Sequence, residues 1–435
     1  VNYLVAYVGT DTELTLPANY NGENYVINKN AFYNNDNIIS VIIPDSVTII
    51  GSSAFNECSY LKKVKIPDSV ISIGSYAFYM CSSLTSVEIP DGVTKIKSYA
   101  FEYCSSLTSI KIPSGLTEIG KNAFYYCNKL TNIYIKDLMS WCNVSGAENI
   151  MNYGSKDKNI YVGNELVTDL IIPDGVTIIR SYVFARTNLT SVTLPESVTM
   201  ISQYAFLDCS KLVYSEYGNC KYLGSENSSY YALIGVTNNS YNNYTIHENT
   251  RIIADSAFYN CSRVRSLVFP DNVTSIGSKV IYYNGNLISV VIGESVTTIG
   301  DYAFYECDKL VEVVNKSTTI EVTRGDTSNG YVGYYALAVY NSNDTFESKL
   351  SIDNEYIVYT DTDDKVLLAY TGVETDLVLP SYITRIHQSA LANCSMTSVV
   401  IPDNVTMIGD YAFYECESLI NVKIPDSVIR IGMYA

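Results

Sequence analysis

Residues 84–106, LTSVEIPDGVTKIKSYAFEYCSS, decide the fold of this 435-residue chain. A short apolar stretch ends at a proline, and an Ala-Phe pair follows eleven residues after that proline. From Pro44 to Pro113 this pattern returns every 23 residues, and all eleven prolines of the chain end such a stretch. A fixed period of this length predicts a solenoid, because each turn of chain can bury its apolar face only against the next turn.

Within one turn, the apolar pattern predicts how each part folds. Val87 and Ile89 alternate with polar residues, which indicates a short strand that ends at Pro90. Phe101 and Cys104 lie on the other side of the turn, where their spacing is consistent with one helical or 3₁₀ turn on a convex side. We therefore predict a mostly β solenoid of ~23-residue turns, with a stacked spine of phenylalanine rings inside it.

The repeated unit also resembles a known family. The segment LKKVKIPDSVISIGSYAFYMCSSL, residues 61–84, and its siblings are similar to the BspA-like leucine-rich repeat of bacterial and protozoan surface proteins. The resemblance covers most of the chain and implies a leucine-rich-repeat solenoid on a secreted or surface-anchored protein. It also implies, for some members, an adhesin that binds host matrix proteins.

The period is interrupted three times, although we expect one solenoid over residues 1–435. Repeats are predicted at about 14–135, 166–214, 251–314 and 376–435, with insertions at about 136–165, 215–250 and 315–375. The insertions mix β-branched or aromatic residues with Asn, Gly, Asp and Ser, which predicts β-hairpins and loops. They are either spacers packed along the solenoid or loops that contact a ligand, and the sequence leaves both open.

A longer repeat is also visible. Residues 4–17, LVAYVGTDTELTLP, resemble residues 367–380, LLAYTGVETDLVLP. The sequence therefore begins with a segment of the same kind as the one at the end of the third insertion. The last residue, Ala435, falls one short of the next Phe position, and no polar cap is visible at either end. We expect the chain to be a fragment of a longer protein.

Composition excludes several classes of partner. The formal net charge is −17 and the isoelectric point is about 4.6, whereas nucleic acids and anionic membranes attract clustered Lys and Arg. No apolar run approaches the length of a membrane span. We therefore expect no nucleic-acid partner and no membrane insertion by this part of the protein.

No residue pattern indicates catalysis. The two histidines, His247 and His387, lie far apart in the sequence, and HExxH, GxSxG, P-loop and GxGxxG motifs are all missing. Close Cys and His pairs with zinc spacing are missing too. We predict a non-enzymatic protein without a cofactor or metal.

The positions of most cysteines follow the 23-residue repeat. Nine of the eleven cysteines fall three residues after the Phe position. They predict a ladder of buried free thiols, although neighbouring turns would also bring them close enough for disulfides. Cys142 and Cys220 lie outside this ladder and are the better candidates for a reactive or bridging pair.

The outward positions of the strands supply candidate protein-binding residues. These are Lys63, Lys65, Glu88, Lys111 and Tyr134. An exposed sheet of this kind could hold a protein or an extended peptide, although no charged or aromatic cluster singles out a site.

Tyrosine is the compositional outlier, with 40 residues. Many tyrosines flank the Phe position, where they either shield the edge of the coil or stack on glycans and protein partners. The candidate glycan-binding residues in the insertions are Tyr331, Tyr334, Tyr335, Tyr340 and Trp141.

These observations favour a non-catalytic, extracellular or cell-surface solenoid that binds proteins, as an adhesin for host or matrix proteins. Two other functions remain open, a glycan-binding module and a structural spacer within a larger surface protein. The partners we expect are extracellular proteins or glycans, and we expect a monomer.

Overall fold

The computed structural model describes residues 1–435, which divide into two compact units. The first unit comprises Val1–Ser215 and Leu223–Tyr231, and the second comprises Glu216–Tyr222 and Ala232–Ala435. Each unit is built from short parallel strands that stack turn upon turn, as the repeat predicts.

Strands of two to seven residues make up nearly all the regular structure. Up to residue 215 they are β1 (Asn2–Leu4), β2 (Glu13–Thr15), β3 (Tyr25–Ile27), β4 (Ser40–Ile42), β5 (Val47–Ile50), β6 (Lys63–Lys65), β7 (Ser72–Ile73), β8 (Ser86–Glu88), β9 (Lys95–Ile96), β10 (Ser109–Ile112), β11 (Glu118–Ile119), β12 (Asn132–Ile135), β13 (Asn159–Val162), β14 (Glu165–Leu166), β15 (Asp169–Ile171), β16 (Ile178–Ile179), β17 (Ser191–Leu194) and β18 (Met200–Ile201). The two helices are α1 (Leu138–Cys142) and α2 (Glu148–Met151).

The remaining strands follow the same scheme. They are β19 (Ser215–Tyr217), β20 (Cys220–Ser225), β21 (Ala232–Val236), β22 (Ile252–Ile253), β23 (Ser266–Val268), β24 (Ser275–Ile276), β25 (Ser289–Ile292), β26 (Thr298–Ile299), β27 (Glu312–Asn315), β28 (Ala338–Tyr340), β29 (Leu350–Asp353), β30 (Tyr356–Asp361), β31 (Asp364–Tyr370), β32 (Asp376–Val378), β33 (Arg385–Ile386), β34 (Ser398–Val400), β35 (Met407–Ile408), β36 (Asn421–Lys423) and β37 (Arg430–Ile431). A 3₁₀ turn covers Asn329–Tyr331.

A regular turn contributes two strands, one before its proline and one after it. In the first unit the strands before the proline pair in the orders β2-β4-β6 and β8-β10, all parallel, and the second order continues through β12 and β13, whose turns lack the proline. The strands after the proline form separate parallel ladders, such as β3-β5-β7 and β9-β11. Equivalent residues of successive turns lie opposite each other, so Val87 pairs with Ile110 and Ile110 pairs with Ile133.

The core of the first unit contains the predicted spine of phenylalanine rings. Phe55, Phe78, Phe101 and Phe124 are fully buried, and successive centroids lie 5.2 to 5.3 Å apart with nearly parallel planes. Burial of each ring contributes roughly 1.5–3 kcal/mol by transfer from water. The Phe spine is therefore a main source of stability along the stack.

The residues around each phenylalanine form tight turns rather than a helix. In the turn of Phe78, Tyr76 and Met80 both have positive φ, 60° and 57°. The backbone N–H groups of Phe78 and Met80 donate to carbonyls of the following turn, at 2.8 Å each. Left-handed backbone costs about 1–2 kcal/mol for such residues, and the hydrogen bonds between turns offset this cost.

The first insertion adds another turn to the stack. Its strand β13 pairs in parallel with β12 and then folds back on itself in a short antiparallel hairpin with β14. Helix α1 begins after Asp137, whose carboxylate accepts a hydrogen bond from the Ser140 backbone N–H at 2.7 Å. The hairpin is confirmed, and apolar residues of the two helices, Trp141, Cys142, Ile150 and Met151, pack as core.

In the second unit, the third insertion combines both kinds of pairing. Strand β28 continues the parallel order β23-β25-β27-β28, and β29, β30 and β31 then form an antiparallel meander. The last strand of this meander pairs in parallel with β33, which restarts the regular turns of β33, β35 and β37. The meander thus links two stretches of stacked turns.

The similarity of residues 4–17 and 367–380 extends to their local structure. The hydroxyl of Tyr7 accepts a hydrogen bond from the Asp11 backbone N–H at 3.2 Å, and that of Tyr370 accepts one from the Glu374 N–H at 3.3 Å. Strands β1 and β31 each pair in parallel with a strand of the following turn. The two segments therefore fold alike.

Candidate functional site

One face of the parallel strands in the first unit presents two columns of outward side chains. The register places Lys111 opposite Glu88 on one side and Tyr134 on the other. Tyr134 in turn lies opposite Tyr161 of β13. The second column runs through polar residues, in the order Ser86, Ser109, Asn132, Asn159. We call this surface the sheet face.

A groove of ≈ 1150 Å³ runs along the sheet face. The outward strand residues form its floor, and the segments around the prolines form its edge. Its lining includes Ile42, Asp45, Lys65, Asp68, Glu88, Lys111, Tyr134 and Asn164. Such a surface combines apolar, aromatic and charged groups of both signs, as protein interfaces do.

Charged side chains of the groove pair with each other across the strands. Lys111 Nζ lies 3.2 Å from Glu88 Oε2 in the groove, and Lys136 forms an ion pair with Asp91 outside the groove lining. All four side chains are more than half exposed, at 54% to 68%. Exposed pairs contribute at most about 1 kcal/mol to stability, so these charges are available to a partner.

Two stacked tyrosines lie on the sheet face beyond Lys111. The ring centroids of Tyr134 and Tyr161 are 4.5 Å apart, with planes inclined by 15°. Beside them the side chain of Asn159 donates a hydrogen bond to Asn132 Oδ1 at 2.9 Å. Rigid, half-buried aromatic rings of this kind are frequent anchors in protein interfaces.

Three of the candidate glycan-binding tyrosines form one cluster in the second unit. Tyr331 contacts Tyr334 with a centroid distance of 5.6 Å, and Tyr334 contacts Tyr335 at 4.8 Å. Tyr331 also stacks on Tyr302 at 5.7 Å, which joins this cluster to the tyrosines that flank the Phe position. Tyr340 contacts Phe346 instead and donates through its hydroxyl to the Glu347 carbonyl at 3.0 Å.

The repeat that builds these surfaces matches a known family model. The model describes the BspA type leucine rich repeat region, matched here in six copies over residues 25–145, 154–234, 235–326 and 369–435. The chain belongs to the BspA-type leucine-rich repeat family. The family assignment includes the strands of the sheet face and most of both units.

Solved structures similar to this BspA-type chain come from several bacteria. A leucine rich cell surface protein from Faecalibacterium prausnitzii A2-165 is 26% identical, with 96% of this chain and 89% of that chain covered and a TM-score of 0.32. A leucine-rich repeat protein from Bacteroides ovatus is 23% identical, with coverages of 96% and 82% and a TM-score of 0.33. The T. pallidum leucine rich repeat protein is 24% identical, with coverages of 48% and 81% and a TM-score of 0.31. No curated protein matches the chain.

One of the predicted site residues of this BspA-type chain, Trp141, lies in the core and not at the surface. The side chain is 1% exposed, and its Nε1–H donates to the Val183 carbonyl at 2.8 Å. Helices α1 and α2 turn the apolar residues of the first insertion inward, with Ile150 and Met151 fully buried. The ring offers no open face to a sugar, so the prediction of Trp141 as a glycan-binding residue is wrong.

The cysteines of the BspA-type repeats are free thiols, as predicted for the ladder. The prediction that Cys142 and Cys220 form a reactive or bridging pair is wrong, because both are free and fully buried. Burial raises the pKa of each of these two thiols to about 12, far from the thiolate form that reacts.

The structure gives no indication of a metal centre in this BspA-type chain. No group of three or more His, Cys, Asp and Glu side chains could hold a metal ion. Burial lowers the pKa of His387 to about 4, so its imidazole is neutral at physiological pH. Separately, none of the helices combines the length and the apolar character that a membrane span needs.

The structure brings Lys65, Glu88, Lys111 and Tyr134 together along one groove, whereas Lys63 is exposed on β6 and does not line it. Sequence reasoning missed Tyr161, because it treated residues 136–165 as an insertion. The signal was present, since Asn132-Ile-Tyr-Ile and Asn159-Ile-Tyr-Val are nearly the same strand 27 residues apart. That the sheet face binds a protein remains a prediction.

Proposed function

We propose that this chain is a non-catalytic, protein-binding repeat protein that acts at the cell surface or outside the cell, as an adhesin for host or matrix proteins. Its binding surface is the groove on the sheet face of the first unit. Membership of the BspA-type family supports a repeat scaffold as the basis of this function. The proposal itself rests on the groove.

The single observation that carries the proposal is the stacked pair Tyr134 and Tyr161 at one end of a groove lined by Lys65, Glu88 and Lys111. Aromatic anchors flanked by charged side chains are the arrangement in which a few residues supply most of the binding energy. The parallel strands hold these side chains in fixed register, so little conformational entropy is lost when a partner binds.

The proposal is tested by surface plasmon resonance on immobilised fibronectin and fibrinogen at physiological salt. We expect saturable binding by the full chain and a loss of about tenfold or more in affinity for Tyr134→Ala, because truncation of an aromatic anchor costs about 2 kcal/mol. Lys65→Glu should slow association, because charges steer the encounter with an acidic partner surface.

Lys97→Glu is the matched control, because Lys97 is exposed and follows β9, outside the groove lining. It makes the same change of net charge as Lys65→Glu and should leave binding unaltered. Equal losses for both lysine variants would indicate a general charge effect and contradict a site in the groove. Binding of neither protein would favour the spacer function.

A further inference from the structure

Tyrosine rings of successive turns contact each other near the Phe position in the first unit. There the rings of Tyr103 and Tyr126, from successive turns, stack at 4.6 Å with planes inclined by 5°. Tyr79 of the preceding turn contacts Tyr103 edge-on at 5.8 Å. Two residues after Phe101 and Phe124, ring therefore lies on ring, whereas Glu57 and Met80 hold this position in the two preceding turns.

In the second unit, one turn with a tyrosine at this position follows a turn that has none. Tyr283 occupies the position two residues after the inward Ile281, and the residue at this position in the preceding turn is Asn260. Tyr282 stacks on Tyr305 of the following turn at 5.5 Å and contacts its neighbour Tyr283 edge-on at 4.3 Å. Because Asn260 supplies no ring, a cleft opens between Tyr259 and the Tyr282-Tyr283 pair.

This tyrosine cleft has a volume of ≈ 410 Å³ and is lined by Tyr259, Asn260, Cys261, Ser262, Tyr282, Tyr283 and Asn284. Two of its walls are exposed rings, since Tyr259 is 51% and Tyr283 61% exposed. A volume of this size lies within the range of small-molecule sites, roughly 300–1,000 Å³. The ring faces are directly accessible from solvent.

A buried amide makes the floor of the cleft rigid. Asn284, which replaces the ladder cysteine in this turn, donates through Nδ2 to the Cys261 carbonyl at 2.7 Å. Its Oδ1 accepts from the backbone N–H groups of Asn286 and Leu287 at 2.8 and 3.1 Å. Because both its amide oxygen and its amide nitrogen are hydrogen-bonded inside the protein, Asn284 holds the shape of the cleft and leaves ligand contacts to other groups.

Those other groups are neutral donors and acceptors. The side chains of Asn260 and Ser262 are exposed at the cleft and can exchange hydrogen bonds with a ligand. None of the seven lining residues is charged, so an ionised ligand would find no partner within the cleft. Flat apolar faces beside neutral hydrogen-bonding groups match a pyranose ring, which has apolar C–H faces and a rim of hydroxyls.

We infer that the tyrosine cleft is a binding site for a neutral sugar. The sugar ring lies against Tyr259 and Tyr283, and its hydroxyls bond to Asn260 and Ser262. This site is independent of the proposed protein-binding groove, since it uses different residues in the other unit.

The aromatic surface continues from the cleft toward the third insertion. Tyr283 contacts Tyr305 at 6.0 Å, and Tyr305 contacts Tyr331 at 5.1 Å, both edge-on. Tyr331 leads to Tyr334, which is also exposed. A chain of several sugars could therefore extend from the cleft along these rings, so an oligosaccharide should bind more tightly than a monosaccharide.

The test uses maltohexaose, cellohexaose and chitohexaose as neutral probes, with sialyllactose and a heparin hexasaccharide as charged probes and a proline-rich peptide as the protein-like alternative. Binding to the purified full chain is measured by isothermal titration calorimetry. We expect saturable binding of at least one neutral hexasaccharide and weaker binding of its monosaccharide.

The decisive variant is Tyr283→Asn, and its matched control is Tyr126→Asn. Both residues have φ of 59°, which asparagine adopts readily, so the two changes make similar demands on the backbone. Tyr283→Asn should weaken sugar binding by about tenfold or more, and Tyr126→Asn should leave it within about twofold. Thermal unfolding of both variants shows whether they fold.

Three outcomes would overturn the inference. The first is failure of every neutral probe to bind, and the second is binding of charged sugars or the proline-rich peptide alone. The third is an equal loss of binding in both tyrosine variants. None of these outcomes bears on fibronectin or fibrinogen binding, so the two proposals fail separately.

Discussion

The thiol of Cys104 donates a hydrogen bond of 3.1 Å to the carbonyl oxygen of Phe78, in the turn before it. The same carbonyl also accepts the backbone N–H of Cys81 at 3.2 Å. Cys81 and Cys127 repeat this contact to Phe55 and Phe101, again at 3.1 Å. The cysteine ladder is therefore a row of protonated donors that connects successive turns next to the Phe spine.

This relationship predicts that the fold weakens in alkali. Burial raises the pKa of Cys58 and Cys307 to about 12, from an ordinary value of 9.0. Between these values the unfolded chain loses thiol protons that the folded chain keeps, so the free energy of unfolding falls as pH rises. Each such thiol lowers it by about 1.4 kcal/mol per pH unit above 9.

Urea unfolding at pH 8.0, 9.0 and 10.0 measures how steeply the free energy of unfolding falls with pH. Cys58→Ala should make this fall less steep, because it removes the contribution of one thiol. Lys158 and Lys309 act in the opposite direction, since burial lowers the pKa of Lys158 to about 8 and also lowers the pKa of Lys309. Each of them binds its proton more tightly in the unfolded chain, so its contribution to the free energy of unfolding rises with pH. Two such lysines cannot cancel the larger number of buried thiols. A free energy of unfolding that is constant or rises above pH 9 would show that the thiols are not protonated donors.

Lys158 itself should be essential to the first unit. Its side chain is fully buried, and Nζ donates to the carbonyls of Leu130 at 3.0 Å, Ser155 at 3.2 Å and Tyr153. Lys158→Met would leave these carbonyls without their donor, so we expect a loss of roughly 3 kcal/mol in the free energy of unfolding. Lys156→Met, at an exposed position two residues earlier, is the control and should cost less than about 0.5 kcal/mol.

Gly372 lies in close contact with two side chains. A Cβ at this position would collide with the Tyr370 hydroxyl and the Glu355 carboxylate, and the equivalent Gly9 lies in the same way under Tyr7. Gly372→Ala should therefore destabilise the second unit by about 1 kcal/mol, the low end of the cost of overpacking, because the ends of the Glu355 and Tyr370 side chains can move aside. Gly163 differs from Gly372, because a Cβ at Gly163 would meet no other atom. The φ of 62° at Gly163 nevertheless strains any side chain there.

The comparison is best made by thermal unfolding of Gly372→Ala alone and together with Tyr370→Phe. Removal of the hydroxyl relieves the clash with Tyr370 and leaves the clash with Glu355, so the double variant should recover part of the lost stability. If Gly372→Ala is as stable as the parent chain, the tight Tyr-Gly contact is not a feature of the fold.

Trp141 should report on the core and not on ligands. Because it is the single tryptophan of the chain and is buried with its N–H bonded to the Val183 carbonyl, its fluorescence should be blue-shifted relative to free tryptophan. Acrylamide should quench it weakly, and neutral hexasaccharides should not change it. Strong acrylamide quenching in the native protein would place the ring on the surface.

The strict repeat made the regular turns predictable from the sequence. Once Val87, Ile110 and Ile133 were aligned by period, their register and the outward positions of Lys111 and Tyr134 followed, because side chains alternate in a strand. The Phe spine followed in the same way. The alternation within each strand and the constant period are enough to predict the register and the Phe spine, because neither depends on contacts between distant parts of the chain.

The structure of the insertions was harder to predict, because the burial of their residues depends on contacts with distant parts of the chain. Trp141 lies among Asp, Ser, Asn and Gly residues that predict a surface loop, yet α1 packs it under the Val183 turn. The left-handed backbone at Tyr76 and Met80 was also missed, since isolated residues of these types rarely adopt it. Only hydrogen bonds from the neighbouring turn make that conformation favourable. The tyrosine cleft depends on such turns and could not be found from the sequence.

The central claim, that the sheet face binds a protein partner, is tested most directly by photocross-linking. The photoreactive residue p-benzoylphenylalanine replaces Tyr134 on the sheet face in one protein and Tyr126, away from that face, in another. Each is irradiated with purified fibronectin or fibrinogen. We expect a covalent adduct from position 134 and none from position 126. Adducts from position 126 alone, or from neither position, would contradict a binding groove on the sheet face.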